Sequence, residues 1–258
     1  MAEELVAKLG APHIVFIYVP HGAPTEAVCQ ELAGLLAEGD VVVDGGNSHW
    51  QDARRRHAEL SRRGIRFMDM GTSGGVSGAR HGACFMAGGD SDAYTLIEPL
   101  LRDLAFDERG TLFVGAPGSG HFVKLIHNAI EFGMVQAIAE GVEMLVRSDY
   151  ELDLPALFEN WNHGSVIRSW LVELMRDGLA ENPDLDALST YVEDTGEVKW
   201  VLEWALARDI PSPVISDSQQ ALMAYRDLNW PAAKAVALLR HGYGHHPVHR
   251  ADEHLVRS

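Results

Sequence analysis

The chain has 258 residues, 47% hydrophobic and 22% charged, ordinary values for a globular protein with core enough for one large or two modest domains. Its 21 basic against 37 acidic residues give a formal charge of −16, which argues against nucleic acid as a partner, and an anionic ligand must then be met by local basic groups and backbone N–H groups. No apolar run approaches the ~20 residues of a membrane span, no basic-then-apolar leader opens the chain, and two cysteines make neither a disulfide framework nor a metal cluster, so a cytoplasmic protein without a membrane partner is expected.

In chain order, Ala2 to Leu9 reads as the end of a helix, stopped near Gly10 and Pro12. His13 to Val19 (HIVFIYV) is a near-continuous apolar run of strand length, the pattern of a strand covered on both faces. A loop from Pro20 to Pro24 leads into a helical period at Val28, Leu32, Leu35 and Leu36, closed by Gly39. Val41 to Asp44 is a strand, Gly45-Gly46-Asn47 a tight loop, and Ser48 the expected N-cap of a polar helix ending at Gly64. Strands follow at Ile65–Asp69 and Cys84–Ala87, a helix at Asp90–Leu104, and a short apolar run at Leu112–Val114. Strands alternating with helices predict an open, mostly parallel sheet. After Gly118 only helical segments are read, near 119–147, 155–178, 196–209 and 216–242. The expected fold is α/β followed by all-α, divided into residues 1–117 and 118–258.

An open parallel sheet takes its ligand outside the carboxyl ends of its strands. There the sequence places Val19-Pro20-His21-Gly22, Asp44-Gly45-Gly46-Asn47-Ser48 and Gly71-Thr72-Ser73-Gly74-Gly75. Paired glycines let backbone approach a ligand and leave N–H groups for an anion, although glycine and asparagine are also good turn formers. Three such loops at one end of a sheet favour a site.

The opening of the next helix, GSGHFVKLIHNAIE (Gly118–Glu131), holds the most distinctive pattern. Lys124, His127, Asn128 and Glu131 stand at i, i+3, i+4 and i+7, on one face, among the apolar residues Val123, Leu125, Ile126 and Ile130. Lysine is scarce: only Lys8, Lys124, Lys199 and Lys234 are lysines, and every other basic residue is arginine. A desolvated lysine can lose its proton near neutral pH, which arginine does not. Lys124 and Glu131 are therefore a candidate base and acid, or alternatively a buried ion pair bracing a central helix. Gly118-Ser119-Gly120 is a partial phosphate loop only, with Val123 in the place of its third glycine. The tail Gly244–His249 (GHHPVH) lacks zinc-site spacing, and no metal is expected. No strand–GxGxxG–helix unit precedes His13, so the chain reads as the continuation of a larger fold.

The runs DGGNSHWQDARRR, MGTSGGVSGARHG, GSGHFVKLIHNAIEFG and HGSVIRSWL, in this order, resemble the 6-phosphogluconate dehydrogenases, most closely their shorter bacterial form. The related β-hydroxyacid dehydrogenases typically have Lys-x-x-Asn-Asn where this chain has Lys124-x-x-His127-Asn128-x-x-Glu131. The resemblance implies an incomplete dinucleotide-binding domain and a helical substrate and dimerisation domain. It implies oxidative decarboxylation of 6-phosphogluconate to ribulose 5-phosphate in the pentose phosphate pathway, with NADP or NAD and no metal. Lys124 matches the family's base and Glu131 its acid. Asn47, Ser73, Gly74, Gly75, His127 and Asn128 match groups that hold the sugar acid, and Arg168 matches a phosphate ligand. Arg240 and His246 match residues that reach a neighbouring subunit's site. Val19, Pro20, His21 and Asn47 fall at the cofactor. Phe132 stands where a substrate-binding tyrosine is common.

A homodimer or higher even oligomer is expected through residues beyond 118, because Trp161, Trp170, Leu171, Trp200 and Trp204 are too many for one small core. His13–Val19 is expected to present an open sheet edge, and the 258-residue chain to bind dinucleotide weakly. Two other readings stay open: a non-catalytic oligomerisation or sugar-phosphate-binding remnant, and another β-hydroxyacid dehydrogenase.

Overall fold

The structure, a computed structural model, describes residues 2–226, 231–244 and 247–248. The chain forms two compact units, residues 1–133 with 196–212, and residues 134–195 with 213–258. The last strand among the described residues ends at Gly115, and helices follow it. The front of one long helix and a later short helix both belong to the first unit.

In the first unit, α1 (Ala2–Lys8) precedes β1 (Ile14–Ile17), α2 (Ala23–Leu35), β2 (Val41–Asp44), α3 (Trp50–Ser61), β3 (Arg66–Ser73), α4 (Gly75–His81), β4 (Cys84–Gly89), α5 (Ser91–Leu104) and β5 (Thr111–Gly115). The strands lie in the order β1-β2-β3-β4-β5, which leaves β1 outermost. Pairing is parallel except between β3 and β4, which run antiparallel from Met68 opposite Gly89 to Ser73 opposite Cys84. The all-valine start of β2 is explained by burial on both faces. Val41 and Val43 pack with Met68, Met70, Phe85 and Ile97 on one side of the sheet. Val42 packs with Val15, Ile17, Leu32, Leu60 and Phe67 on the other. This two-residue alternation is the strand period, with helices covering both faces.

Several boundaries differ from expectation. β3 runs on to Ser73 instead of stopping at Asp69, because pairing with β4 supplies partners for Met70 to Ser73. Helix α3 is capped by His49, whose Nδ1 accepts from Gln51 N at 3.2 Å, while Ser48 is buried one residue earlier.

The long helix α6 (Ser119–Val146) continues into the second unit, where α7 (Leu154–Asn162) and α8 (Trp170–Glu181) follow. The single helix expected over 155–178 is thus two. Gly164, at φ 93°, turns the chain, and Ser169 caps α8 by accepting from Val172 N. Val142, Phe158, Val172 and Leu179 form the core here, with Trp161 packed against it. After a 3₁₀ turn at Leu185–Ala187 the chain returns to the first unit as α9 (Glu197–Leu206). Over the helix expected at 216–242, the described residues form α10 (Pro213–Arg226) and α11 (Pro231–Gly244). Among the described residues no helix is long and apolar enough to cross a membrane.

Candidate active site

The polar stripe of α6 is placed by close backbone packing against β3 and β4. A Cβ on Gly120 would collide with Asp69 O and, at 2.6 Å, with Met86 O. A Cβ on Gly71 would collide with the Lys124 side chain. Helix and strand therefore touch without an intervening side-chain layer. The two run side by side, with Gly120 at Asp69, Lys124 at Gly71 and His127 at Ser73. The start of α6 is held by the buried Asp69, whose two carboxylate oxygens accept from Gly118 N at 2.7 Å and His121 N at 2.8 Å. A carboxylate in that position satisfies unpaired helix donors and sits at the positive end of the helix dipole.

Lys124 is buried, at 5% exposure, yet among the described residues it forms no salt bridge. Its Nζ donates to Asn128 Oδ1 at 2.6 Å and lies 3.3 Å from His127 Nδ1. Burial pushes its pKa below the ordinary 10.5, opposed by the charges of Glu131, Glu197 and Cys84. A proton on Lys124 directed at His127 Nδ1 requires the imidazole proton on Nε2, which then faces Ser73 Oγ at 3.2 Å. Glu131 is half-buried, with Oε2 3.8 Å from His127 Nδ1. The stripe is less enclosed than the flanking apolar residues suggest. Leu125 is buried, but Val123 and Ile130 are exposed, so His127 and Glu131 lie at a margin open to solvent.

The carboxyl ends of β1, β2 and β3 share one edge because the three strands are parallel. Val19 and His21 are half-buried there, and Pro20 is exposed. Asn47 takes φ 51° and ties this loop to β3, donating to Thr72 O at 3.3 Å and accepting from Thr72 N at 3.1 Å. Gly74, at φ 131°, starts α4 in a conformation that excludes most side chains, and Gly75 follows it. The first unit thus brings Asn47, Ser73, Lys124, His127 and Asn128 into one hydrogen-bonded neighbourhood through Thr72 and β3.

Other expected site residues lie elsewhere. Arg168, exposed in the turn before α8, and Arg240, exposed on α11, are in the second unit, and neither guanidinium has a side-chain partner among the described residues. His246 is outside the described residues. Two of the tryptophans expected to serve assembly have partners in the first unit instead. Trp200 stands edge-on to His21 and His49, with ring centroids 5.1 and 5.0 Å apart, and Trp204 stacks edgewise on Phe122 at 4.9 Å.

Sequence reasoning missed Glu197 at the start of α9. Its Oε2 accepts from Asn128 Nδ2 at 2.6 Å, across 69 residues of chain. It also missed a sealed network beneath the β1 and β2 loops. Buried Arg56 bridges Asp44 Oδ2 at 3.2 Å and Glu26 Oε2 at 3.1 Å, and His121 Nε2 lies 3.3 Å from Asp44. Only local spacing is visible in a sequence, and these contacts join distant segments.

Residues 1–115 match the NAD binding domain of 6-phosphogluconate dehydrogenase, and residues 120–221 match the C-terminal domain of that enzyme. The chain is 44% identical over 250 residues to YqeC of Bacillus subtilis (strain 168), provisionally named a 6-phosphogluconate dehydrogenase, covering 96% of this chain and 83% of that protein. It is 36% identical over 251 residues to the NAD(+)-dependent, decarboxylating 6-phosphogluconate dehydrogenase of Haloferax volcanii, covering 97% and 83%. Among solved structures, the Plasmodium falciparum 6-phosphogluconate dehydrogenase superposes with a TM-score of 0.81 at 26% identity, over 98% of this chain and 56% of that one. Matched along nearly its whole length, and with a buried lysine set beside histidine and asparagine on its central helix, the chain belongs to the 6-phosphogluconate dehydrogenase family.

Proposed function

We propose that this protein catalyses the NAD(P)-dependent oxidative decarboxylation of 6-phosphogluconate to ribulose 5-phosphate, with Lys124 as base and Glu131 as acid. The observation that carries this reading is a buried lysine that forms no salt bridge among the described residues, held by His127 and Asn128 beside Ser73. Burial favours its neutral form, and only that form can take a hydroxyl proton.

The nicotinamide cofactor supplies a hydride acceptor when bound. Val19, Pro20, His21 and Asn47 offer neutral side chains and backbone groups at the carboxyl ends of β1 and β2, which suit an uncharged ring. These 258 residues contain no GxGxxG turn for a pyrophosphate. In this reading Lys124 receives the proton of the 3-hydroxyl as that carbon is oxidised. The resulting ammonium hydrogen-bonds the new carbonyl, which draws electrons from the breaking carbon–carboxylate bond. Glu131, one helical stretch of about 10 Å further on, protonates the enediol carbon left after carbon dioxide departs. Ser73, Gly74, Gly75, His127 and Asn128 hold the sugar acid, and Asn47 braces their loop against β3. The phosphate needs a cation, and the resemblance assigns that role to Arg168 and gives Arg240 to a neighbouring subunit's site. We place the protein in the cytoplasm as an even oligomer whose contacts use the second unit, where Met144, Val166, Trp170 and Leu239 expose large apolar surfaces. Light scattering at micromolar concentration tests that assembly, and a monomer alone would contradict it.

The test of the reaction is incubation with 6-phosphogluconate and NAD or NADP, following absorbance of the reduced nicotinamide and release of carbon dioxide. Equal amounts of both are expected. Reduced nicotinamide without carbon dioxide would indicate a plain hydroxyacid dehydrogenase, and neither product would support a non-catalytic remnant.

A further inference from the structure

The Asn128 carboxamide sits between two groups that each accept only one of its ends. Lys124 Nζ lies 2.6 Å from Oδ1, and Glu197 Oε2 lies 2.6 Å from Nδ2. A carboxylate has only acceptors, so the amide must turn its NH₂ to Glu197 and its oxygen to Lys124, which donates in either protonation state. Turning it over would set the amide oxygen against the carboxylate. The Lys124 amine thus lies between two acceptors, Asn128 Oδ1 and His127 Nδ1.

Glu197 is itself firmly placed. It is the first residue of α9, following Gly196 at φ 85°. The rest of that helix is anchored in the first unit by buried Val198, Val201 and Ala205, by Trp200 against His21 and His49, and by Trp204 against Phe122. A carboxylate on a fixed helix start is thus aimed at the back of a residue that touches the candidate base.

We propose that Glu197 is a positioning residue for Lys124: it locks the Asn128 carboxamide so that the amide oxygen holds the lysine amine at the end of β3. The inference deepens the assignment of Lys124 as base and rests on that assignment for its effect on turnover. Glu197 also acts on charge. The ionisable groups facing Lys124 are His127 and Glu131 on α6, Cys84 on β4 and Glu197 on α9. Removing the Glu197 charge takes away one of the influences that hold the lysine proton, so Lys124 should release it at lower pH.

Two variants separate orientation from charge. Glu197→Gln keeps an acceptor for Asn128 Nδ2 and loses the charge, whereas Glu197→Ala loses both. Expected for Glu197→Ala is a fall in kcat of about 10-fold or more, with a smaller change in KM. Glu197→Gln should recover most of kcat at its own pH optimum, with the acid limb of kcat/KM displaced to lower pH. Independently of activity, [¹³C]lysine NMR follows Lys124 directly, since four lysines give few resonances and Lys124→Met assigns the one in question. Its titration should move to lower pH in Glu197→Gln. An unmoved Lys124 titration in both variants overturns the proposal. So does wild-type kcat in Glu197→Ala, or equal impairment of both variants with an unmoved acid limb, which would mark Glu197 as a mere anchor of α9. If the wild-type protein does not turn over 6-phosphogluconate, the reading of function fails, and the Lys124 titration still decides the role of Glu197.

Discussion

Two polar clusters lie within the first unit, and they handle buried charge in opposite ways. Around Arg56 every charge is answered: the guanidinium is 2% exposed and meets Asp44 and Glu26, and Arg55 adds a second cation on Glu26 at 2.6 Å. Burial pushes Asp44 up, but His121 and the backbone N–H of Gly46 bring it below the usual carboxylate range. Around Lys124, among the described residues, the buried amine hydrogen-bonds an amide oxygen and an imidazole and forms no salt bridge, while the charges of Glu131 and Glu197 act on it from further away. The first cluster gains nothing from a proton moving, so it serves the fold. The second keeps a group whose charged form is disfavoured, which is costly for a scaffold and useful for a base. What distinguishes a site from a brace here is the lack, among the described residues, of a salt bridge to the buried amine, and neither the number of polar residues nor their burial makes that distinction.

The largest expected effect falls on the second cluster. Lys124→Met should lower kcat by about 10²–10⁴-fold with an unchanged far-ultraviolet circular dichroism spectrum. Lys124→Arg should fail nearly as badly, since arginine stays protonated. Retention of more than about a tenth of kcat by Lys124→Arg, a loss under about 1.4 kcal/mol, would contradict the base role.

In the first cluster the loss should be in stability. Arg56→Met leaves Asp44 buried without its cation, and urea unfolding should show about 3–5 kcal/mol of destabilisation. A change under about 1 kcal/mol would mean that water reaches Asp44 and that the cluster is not sealed.

Gly71→Ala tests the seam by which β3 positions α6. The added methyl runs into Lys124 and, at 2.9 Å, into Gly120 O, neither of which yields without moving the helix. We expect about 1–3 kcal/mol of destabilisation together with a fall in kcat. Lost stability with intact turnover would show that the base tolerates a displaced α6.

The smallest effect concerns pH. Arg55, more than Arg56, holds the Glu26 carboxyl down to about 2 from an ordinary 4.5. A depressed folded pKa gives stability that is present in full above 4.5 and lost as pH falls toward 2. The stability gap between wild type and Glu26→Gln should therefore be constant above pH 4.5 and close below it. A gap independent of pH would assign Glu26 a packing role.

Much of this arrangement was legible in the sequence because it is local. The strand at Val41–Asp44, the helix from Ser119 and the polar stripe at Lys124, His127, Asn128 and Glu131 follow from spacing within one element. Boundaries slipped where a distant partner decided them. β3 gains four residues, from Met70 to Ser73, because β4 pairs with it, and nothing in MGTS announces that neighbour. The break at Gly164 follows from a residue the sequence shows, but the apolar periodicity on either side of it runs on. Glu197 was out of reach, since its partner lies 69 residues away and GE at a helix start has an ordinary explanation as a favourable acidic first turn.

The most direct test of the contrast between the two clusters is the titration of Lys124 itself in the wild-type protein, followed by [¹³C]lysine NMR with Lys124→Met assigning its resonance. Desolvation that outweighs the charges of Glu131, Glu197 and Cys84 predicts that Lys124 titrates below 10.5. If Lys124 titrates at 10.5 or above, its burial is compensated after all, and it braces the helix instead of serving as the base.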